Sequence, residues 1–518
     1  MKKLLQALFS MSADTMSPAK RWTALGVLSL SLFVVTMDMM ILLMALPKLI
    51  IDLSPTTAQQ LWIVDVYSLI LAGLLIPMSA LADRWGRKKL LLTGFFIFSV
   101  ASVLVLFVTT TNHVIALRAL LGLAGAMIMP TTLSMIRTIF SNPKERATAL
   151  AIWASIASLG AIAGPVVGGL LLEHFSWHSV FIINAPFALF AVIAGLFLLP
   201  EARSTQPPRW DMLATILSIG GMSTLVWSIK HFAKEGWDDT TALIVFAISA
   251  LLLIGFVVRC LRQAKPMLDV RLFKRRPIAA GAITAFFSMF AMTGIMLLIA
   301  QWLQVVLEWS PLKAGIATLP TAVGALLFTP LAPAIAARIG ARTVLASGLA
   351  MAGIGFLYIF LFGHPLTYGV LVPALVLIGI STASLAVASS LIMSSTPQDK
   401  AGNSAAIEES MYDLGNVFGV AVIGSIAAAF YRQYLDIASF AGQGISGALA
   451  DQANKSIVDA LAVSAQTGVF DLATKATSAF DDSILGIGLV GGIILVTIAI
   501  IVFALIPKGL DITSQRHD

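Results

Sequence analysis

Charge is what this sequence has least of. Only 11% of its 518 residues are Asp, Glu, Lys or Arg, against 58% hydrophobic, where a soluble domain carries roughly 25% charged residues. That scarcity excludes a soluble globular chain, because so much apolar surface cannot be hidden from water. A single cysteine, Cys260, excludes a disulfide framework and any cysteine-based metal cluster. No Gly-Lys dipeptide occurs, so a nucleotide-binding P-loop is absent, which argues against an ATP-driven pump.

What is present instead is a series of apolar runs, each of about 20 residues and long enough to cross a bilayer as a helix. Their spacing predicts fourteen spans, at about 22–47, 58–80, 89–110, 112–137, 147–172, 177–199, 212–231, 241–261, 278–307, 312–336, 341–362, 367–394, 402–431 and 482–506. With the N-terminus inside, 25 of the 33 Lys and Arg fall in inner segments and seven in outer ones, Lys230 among the seven; Arg118 lies within a span. This asymmetry accounts for the net charge of +7 without nucleic acid and predicts both termini in the cytoplasm.

The expected fold is an all-α integral membrane protein with helices arranged six, two and six. A cytoplasmic N-terminus (1–21) precedes a six-helix domain (22–199), and two extra helices with a basic cytoplasmic linker follow (200–277). A second six-helix domain (278–506) includes a helical external loop (432–481), and a cytoplasmic tail (507–518) closes the chain. "ADRWGRKKLL" (82–91) echoes in "AARIGARTVL" (336–345), each after the second helix of a set of six. Related halves around a midplane site are the logic of rocking transporters.

Acids in such a chain are conspicuous. An acid at the centre of a membrane helix costs about 2.5–3.5 kcal/mol on insertion scales and is normally retained for a task. Asp38, Asp65, Glu408, Glu409 and Asp413 all fall inside expected spans, with Arg118 as the nearby base expected to partner an acid. Glu409 and Asp413 are four apart and share a helix face, while Glu408 points about 100° away. The expectation is that one glutamate faces a cavity and the other a neighbouring helix. Burial favours the neutral form of a carboxylic acid, and a bound organic cation favours the charged form. Competition for one negative charge is exchange. Tyr67, Tyr412, Met39 and Met40 are candidate cavity-lining residues, since aromatic and thioether groups make adaptable walls for cations.

Several stretches carry a family likeness. "TMDMMILLMALP" (36–47) places Asp38 in a first-helix motif, and "SALADRWGRKK" (79–89) is an inner-loop motif with Asp83, Arg84, Gly86, Arg87 and Lys88. "ALRALLGLAGAMIMP" (116–130) carries Arg118, and "LGAIAGPVVGG" (159–169) carries Gly160, Gly164, Pro165, Gly168 and Gly169. "SWHSVFIINAPF" (176–187) and "AGNSAAIEESMYDLGNVFG" (401–419) extend the match. On these motifs the chain resembles the fourteen-helix drug:proton antiporters of the major facilitator superfamily, most closely the QacA-type exporters of quaternary ammonium compounds and dyes. The resemblance implies proton-coupled export of lipophilic cationic drugs, including quaternary ammonium compounds, cationic dyes and biguanide-type antiseptics. It implies a bacterial plasma membrane, a monomer, no enzyme activity, no cofactor or metal, and the proton gradient as energy source. Asp38, Asp65, Glu408, Glu409 and Asp413 would hold substrate and protons, with Arg118 as relay partner. The 83–88 loop would be a conformational switch and the 160–169 glycines a hinge. The alternative within this fold is an exporter of another class, a metabolite or a non-cationic antibiotic.

Overall fold

A chain in lipid has no water to satisfy its peptide groups, so each apolar run must bond within itself. The computed structural model describes residues 16–55, 57–204, 211–235, 239–397 and 400–506, and within them every regular element is helical. In order these are α1 (Pro18–Leu53), α2 (Thr57–Trp85), α3 (Arg87–Leu104), α4 (Thr111–Ile139), α5 (Pro143–His174) and α6 (Asn184–Leu198), then the extra pair α7 (Met212–Glu235) and α8 (Thr240–Arg262). The second set is α9 (Arg276–Val306), α10 (Leu312–Phe328 with Ala332–Ile339), α11 (Ala341–Phe362), α12 (Tyr368–Ser394), α13 (Ala401–Leu435) and α14 (Phe470–Leu505). Among the described residues twelve helices are long and apolar enough to cross a membrane, thirteen when the bent α10 is one span. The 32-residue α5 is not in that number, so the count of fourteen rests on the sequence. The N-terminus up to residue 15, residues 205–210 of the 200–277 segment, and the 507–518 tail lie outside the described residues.

Helix starts follow local chemistry. The side chains of Thr110, Asn142 and Asp239 accept backbone N–H bonds at the starts of α4, α5 and α8, the last from Ala242 N at 2.7 Å. Three expectations change. α1 begins at Pro18 and runs to Leu53, beyond the expected 22–47. α10 is bent by 54° between Phe328 and Ala332, where Pro330 and Pro333 remove backbone donors. α14 begins at Phe470, not 482, so the last stretch of the expected external loop, 470–481, is its first turns; Trp302 Nε1 donates to Asp481 Oδ1 there at 2.7 Å. The rest of that loop holds the short helices Ala448–Ala453 and Ile457–Thr467.

The sequence echo is an echo of backbone. Gly86 and Gly340 are single-residue breaks between consecutive helices, with φ of 117° and 88°. Glycine alone takes that conformation at no steric cost. One large apolar core unites residues of α1 to α6, and another unites residues of α9 to α14. The extra pair is asymmetric. α8 turns Leu243, Ile244, Leu251 and Ile254 outward, whereas α7 inserts Met222, Val226 and Ile229 between Leu69 and Ala72 of α2 and Val417 and Ala421 of α13. It seals the seam between the halves.

Candidate functional site

The charges within the first half are tightly partnered. On α1, Asp38 is fully buried; its Oδ2 takes Arg118 of α4 in an ion pair at 2.8 Å, and its Oδ1 accepts from Asn184 Nδ2 of α6 at 2.7 Å. Arg118 also donates to the Ile63 carbonyl at 3.3 Å and lies over the Tyr67 ring, 4.4 Å from its centroid. Tyr67, expected to line a wall for a foreign cation, thus gives its face to a resident guanidinium and is buried. Asp65 forms an ion pair with Lys230 of α7, whose ammonium also donates to Ser68 Oγ at 3.0 Å. Lys230, counted above among the outer bases, is therefore part of the helix bundle.

The Asp38 helix lies against the glycine motif because no side chain intervenes. A methyl group on Gly160 would stand 2.7 Å from the Phe33 carbonyl, and one on Gly164 would stand 2.6 Å from Met40 Cβ. On Gly168 it would reach within 2.8 Å of Ile41 Cγ1, whereas on Gly169 it would make only ordinary contact, 3.7 Å, with Leu312 of α10. Three glycines at four-residue spacing thus form the α1–α5 groove, and the fourth faces the other half. Pro165 lies within α5. Met39 packs on the first core, and Met40 is partly exposed.

The second half holds its acids differently. Glu408 and Glu409 on α13 are buried, and Asp413 is one turn on from Glu409. Tyr412 Oη donates to Glu408 Oε1 at 2.6 Å, so Tyr412 serves an acid as well as a surface. Glu408 Oε2, Glu409 Oε1 and Asp413 Oδ2 have no hydrogen-bond partner among the described residues, and no ion pair there involves any of the three. Both glutamates are buried, and they differ in bonding: Glu408 accepts from Tyr412, while Glu409 Oε1 has no partner among the described residues. α13 approaches α9 closely here: a methyl on Gly415 or Gly419 would run into the carbonyls of Phe286 or Phe290. A π-helical turn, Gly419–Ile423, follows the acids, a distortion frequent at functional sites.

The loop motif closes the basic end of the bundle. Asp83 pairs with Arg87 at 2.8 Å, and its carboxylate packs on Gly402 in the first turn of α13, where the helix dipole favours a negative charge. Ser79 Oγ donates to the Gly402 carbonyl at 2.6 Å, and Arg137 donates to the Thr396 carbonyl. Asp83 therefore engages an arginine and a helix N-terminus at once. Arg87 also reaches Thr138 at 2.8 Å, Lys88 is buried with Nζ donating to the Leu196 carbonyl at 2.8 Å, and Arg84 is exposed. Gly86 lies under Glu201, whose carboxyl burial pushes above the ordinary carboxylate range. The start of the 200–277 segment is thus a clamp on the loop: Arg87 N donates to the Ala202 carbonyl at 2.9 Å.

Asn184 and Lys230 are the contacts that sequence reasoning missed. Asn184 stood inside a quoted motif with no acid in sight. Lys230 follows Met222 and Val226 at helical spacing, which places it on the α2-facing side of α7. His174 and His178 are four apart, yet one ends α5 and the other precedes a separate turn, and no group of three potential metal ligands occurs among the described residues.

The sequence profile of the Major Facilitator Superfamily matches residues 28–420, and the chain belongs to that superfamily. It is a multi-pass membrane transporter and not an enzyme. It is 38% identical over 491 residues to the multidrug efflux pump LfrA of Mycolicibacterium smegmatis, covering 95% of this chain and 97% of that one. It is 36% identical over 409 residues to the methyl viologen resistance protein SmvA of Salmonella typhimurium, covering 78% and 82%. The crystal structure of the human organic anion transporter MFSD10 (TETRAN) matches with a TM-score of 0.60 at 15% identity, over 93% of this chain and 100% of that one, a likeness of fold alone.

Proposed function

We propose that this protein is a proton-coupled multidrug exporter of lipophilic organic cations. It works as a monomer in a bacterial plasma membrane with both termini in the cytoplasm, and the proton gradient is its energy source in place of any cofactor. The observation that carries the reading is the α13 trio: Glu408 and Glu409 are buried and Asp413 partly so, each has a carboxylate oxygen without a hydrogen-bond partner, and none forms an ion pair among the described residues. An acid left without a cation is open to either a proton or a foreign one. Proton entry then expels the organic cation, and the two halves rock about the site. The names of the relatives agree: both are resistance or efflux proteins, and methyl viologen is itself an organic cation. The closed basic end corresponds to a state sealed toward the cytoplasm, which release of the Asp83 and Ser79 contacts on Gly402 would open.

The test is transport in proteoliposomes containing only this protein. An imposed pH gradient should drive ethidium accumulation without ATP, and a protonophore should abolish it. Accumulation that survives the protonophore, or none under a gradient, overturns the proposal.

A further inference from the structure

α7 belongs to neither six-helix set, yet it delivers a half-buried base to the bundle. Its apolar face, Met222, Val226 and Ile229, fills the seam between α2 and α13, and Ser223 Oγ donates to the Leu69 carbonyl at 3.1 Å. Lys230 continues that face by one residue and meets Asp65 and Ser68 on α2. The α13 side of the same seam carries Asp413, whose Oδ2 is buried and unpartnered. A primary ammonium on a flexible four-carbon stem thus holds Asp65 at a seam whose other side carries Asp413.

We propose that Lys230 is a specificity-determining residue: a tethered cation that occupies Asp65 and sets how many positive charges the site accepts. The inference rests on the cation reading above. With Lys230 in place, Asp65 is neutralised, and the free negative charge is confined to α13. A substrate with one positive charge is served by that charge. A substrate whose two charges are set wider apart than the α13 acids needs an acid on another helix, and Asp65, on the α2 side of the seam, is already taken. The two extra helices then do more than face lipid. One of them sets charge selection.

Lys230→Gln should raise the ratio of methyl viologen to ethidium affinity by about tenfold, which corresponds to about 1.4 kcal/mol of differential attraction. Lys230→Arg should keep the original ratio. Lys230→Gln combined with Asp65→Asn should return to it, because both charges are gone. Binding to purified full-length protein, by equilibrium dialysis with each cation, reads these ratios independently of expression level. An unchanged ratio in Lys230→Gln overturns the proposal, as does an equal loss for both cations that Lys230→Arg fails to prevent. If Lys230→Gln does not yield folded protein, the Lys230→Gln/Asp65→Asn pair and Asp65→Asn alone decide: Asp65→Asn must lower the ratio or leave it unchanged, and a rise contradicts the role. If the unmodified protein binds neither cation, it is the cation reading itself that falls.

Discussion

The two halves carry the acids of their spans in opposite ways. In the first half, Asp38 has Arg118 and Asn184, and Asp65 has Lys230 and Ser68. In the second, Glu408, Glu409 and Asp413 share one tyrosine hydroxyl among them. A buried acid with a fixed base is held charged and positioned, and removing either partner leaves an uncompensated ion. A buried acid without one is free to change its charge at little structural cost. The comparison assigns different labour to the two sets. Under the proposed function α13 is the helix that exchanges charge, and α1 with α4 is the framework around it.

The largest expected effect lies on α13. Glu409→Gln should lower gradient-driven ethidium transport by more than about tenfold, or about 1.4 kcal/mol, with normal membrane insertion, because it removes an ionisable group and little volume. Glu408→Gln should be milder, about threefold, since Tyr412 already engages one of its oxygens. Transport in proteoliposomes at matched protein levels measures both. An inactive Glu408→Gln beside an active Glu409→Gln would assign the exchange to the wrong glutamate.

Next comes the framework. Asp38→Asn leaves the Arg118 guanidinium buried without a counter-charge, and such losses run to about 3–5 kcal/mol. The thermal midpoint of the detergent-solubilised protein should fall clearly, and adding Arg118→Gln should recover much of the loss. If Asp38→Asn melts like the unmodified protein while abolishing proton coupling, Asp38 is an exchanging acid after all and the contrast between the halves is wrong.

Much of this was legible in the sequence because it depends on residues whose presence is itself costly. Acids in apolar runs stand out, and the Ala-x-Arg-x-Gly echo became two matching breaks at Gly86 and Gly340 because only the backbone conformation had to repeat. The two copies have diverged at the acid: Asp83 corresponds to Ala337, which is exposed, while Asp83 is buried against α13. Hydropathy alone missed the first turns of α14, where Leu472, Ala476 and Phe480 are buried at helical spacing amid polar neighbours. Lys230 was hidden for the opposite reason. A lysine near a span end reads as a solvated anchor, and only the packing of α7 into the α2–α13 seam reveals that it turns inward. Which acids are paired depends on contacts between helices far apart in sequence, such as Asp38 with Arg118, and no local pattern encodes that.

The central claim is that α13, and not α1, gives up protons when a cation binds. Proton release on ethidium binding, followed with a pH indicator in weakly buffered purified protein, tests it most directly. The account predicts release of about one proton per cation in the unmodified protein, by linkage between the two ligands. It predicts that release disappears in Glu409→Gln combined with Asp413→Asn and persists in Asp38→Asn. Release that persists without the α13 acids and vanishes in Asp38→Asn would contradict it.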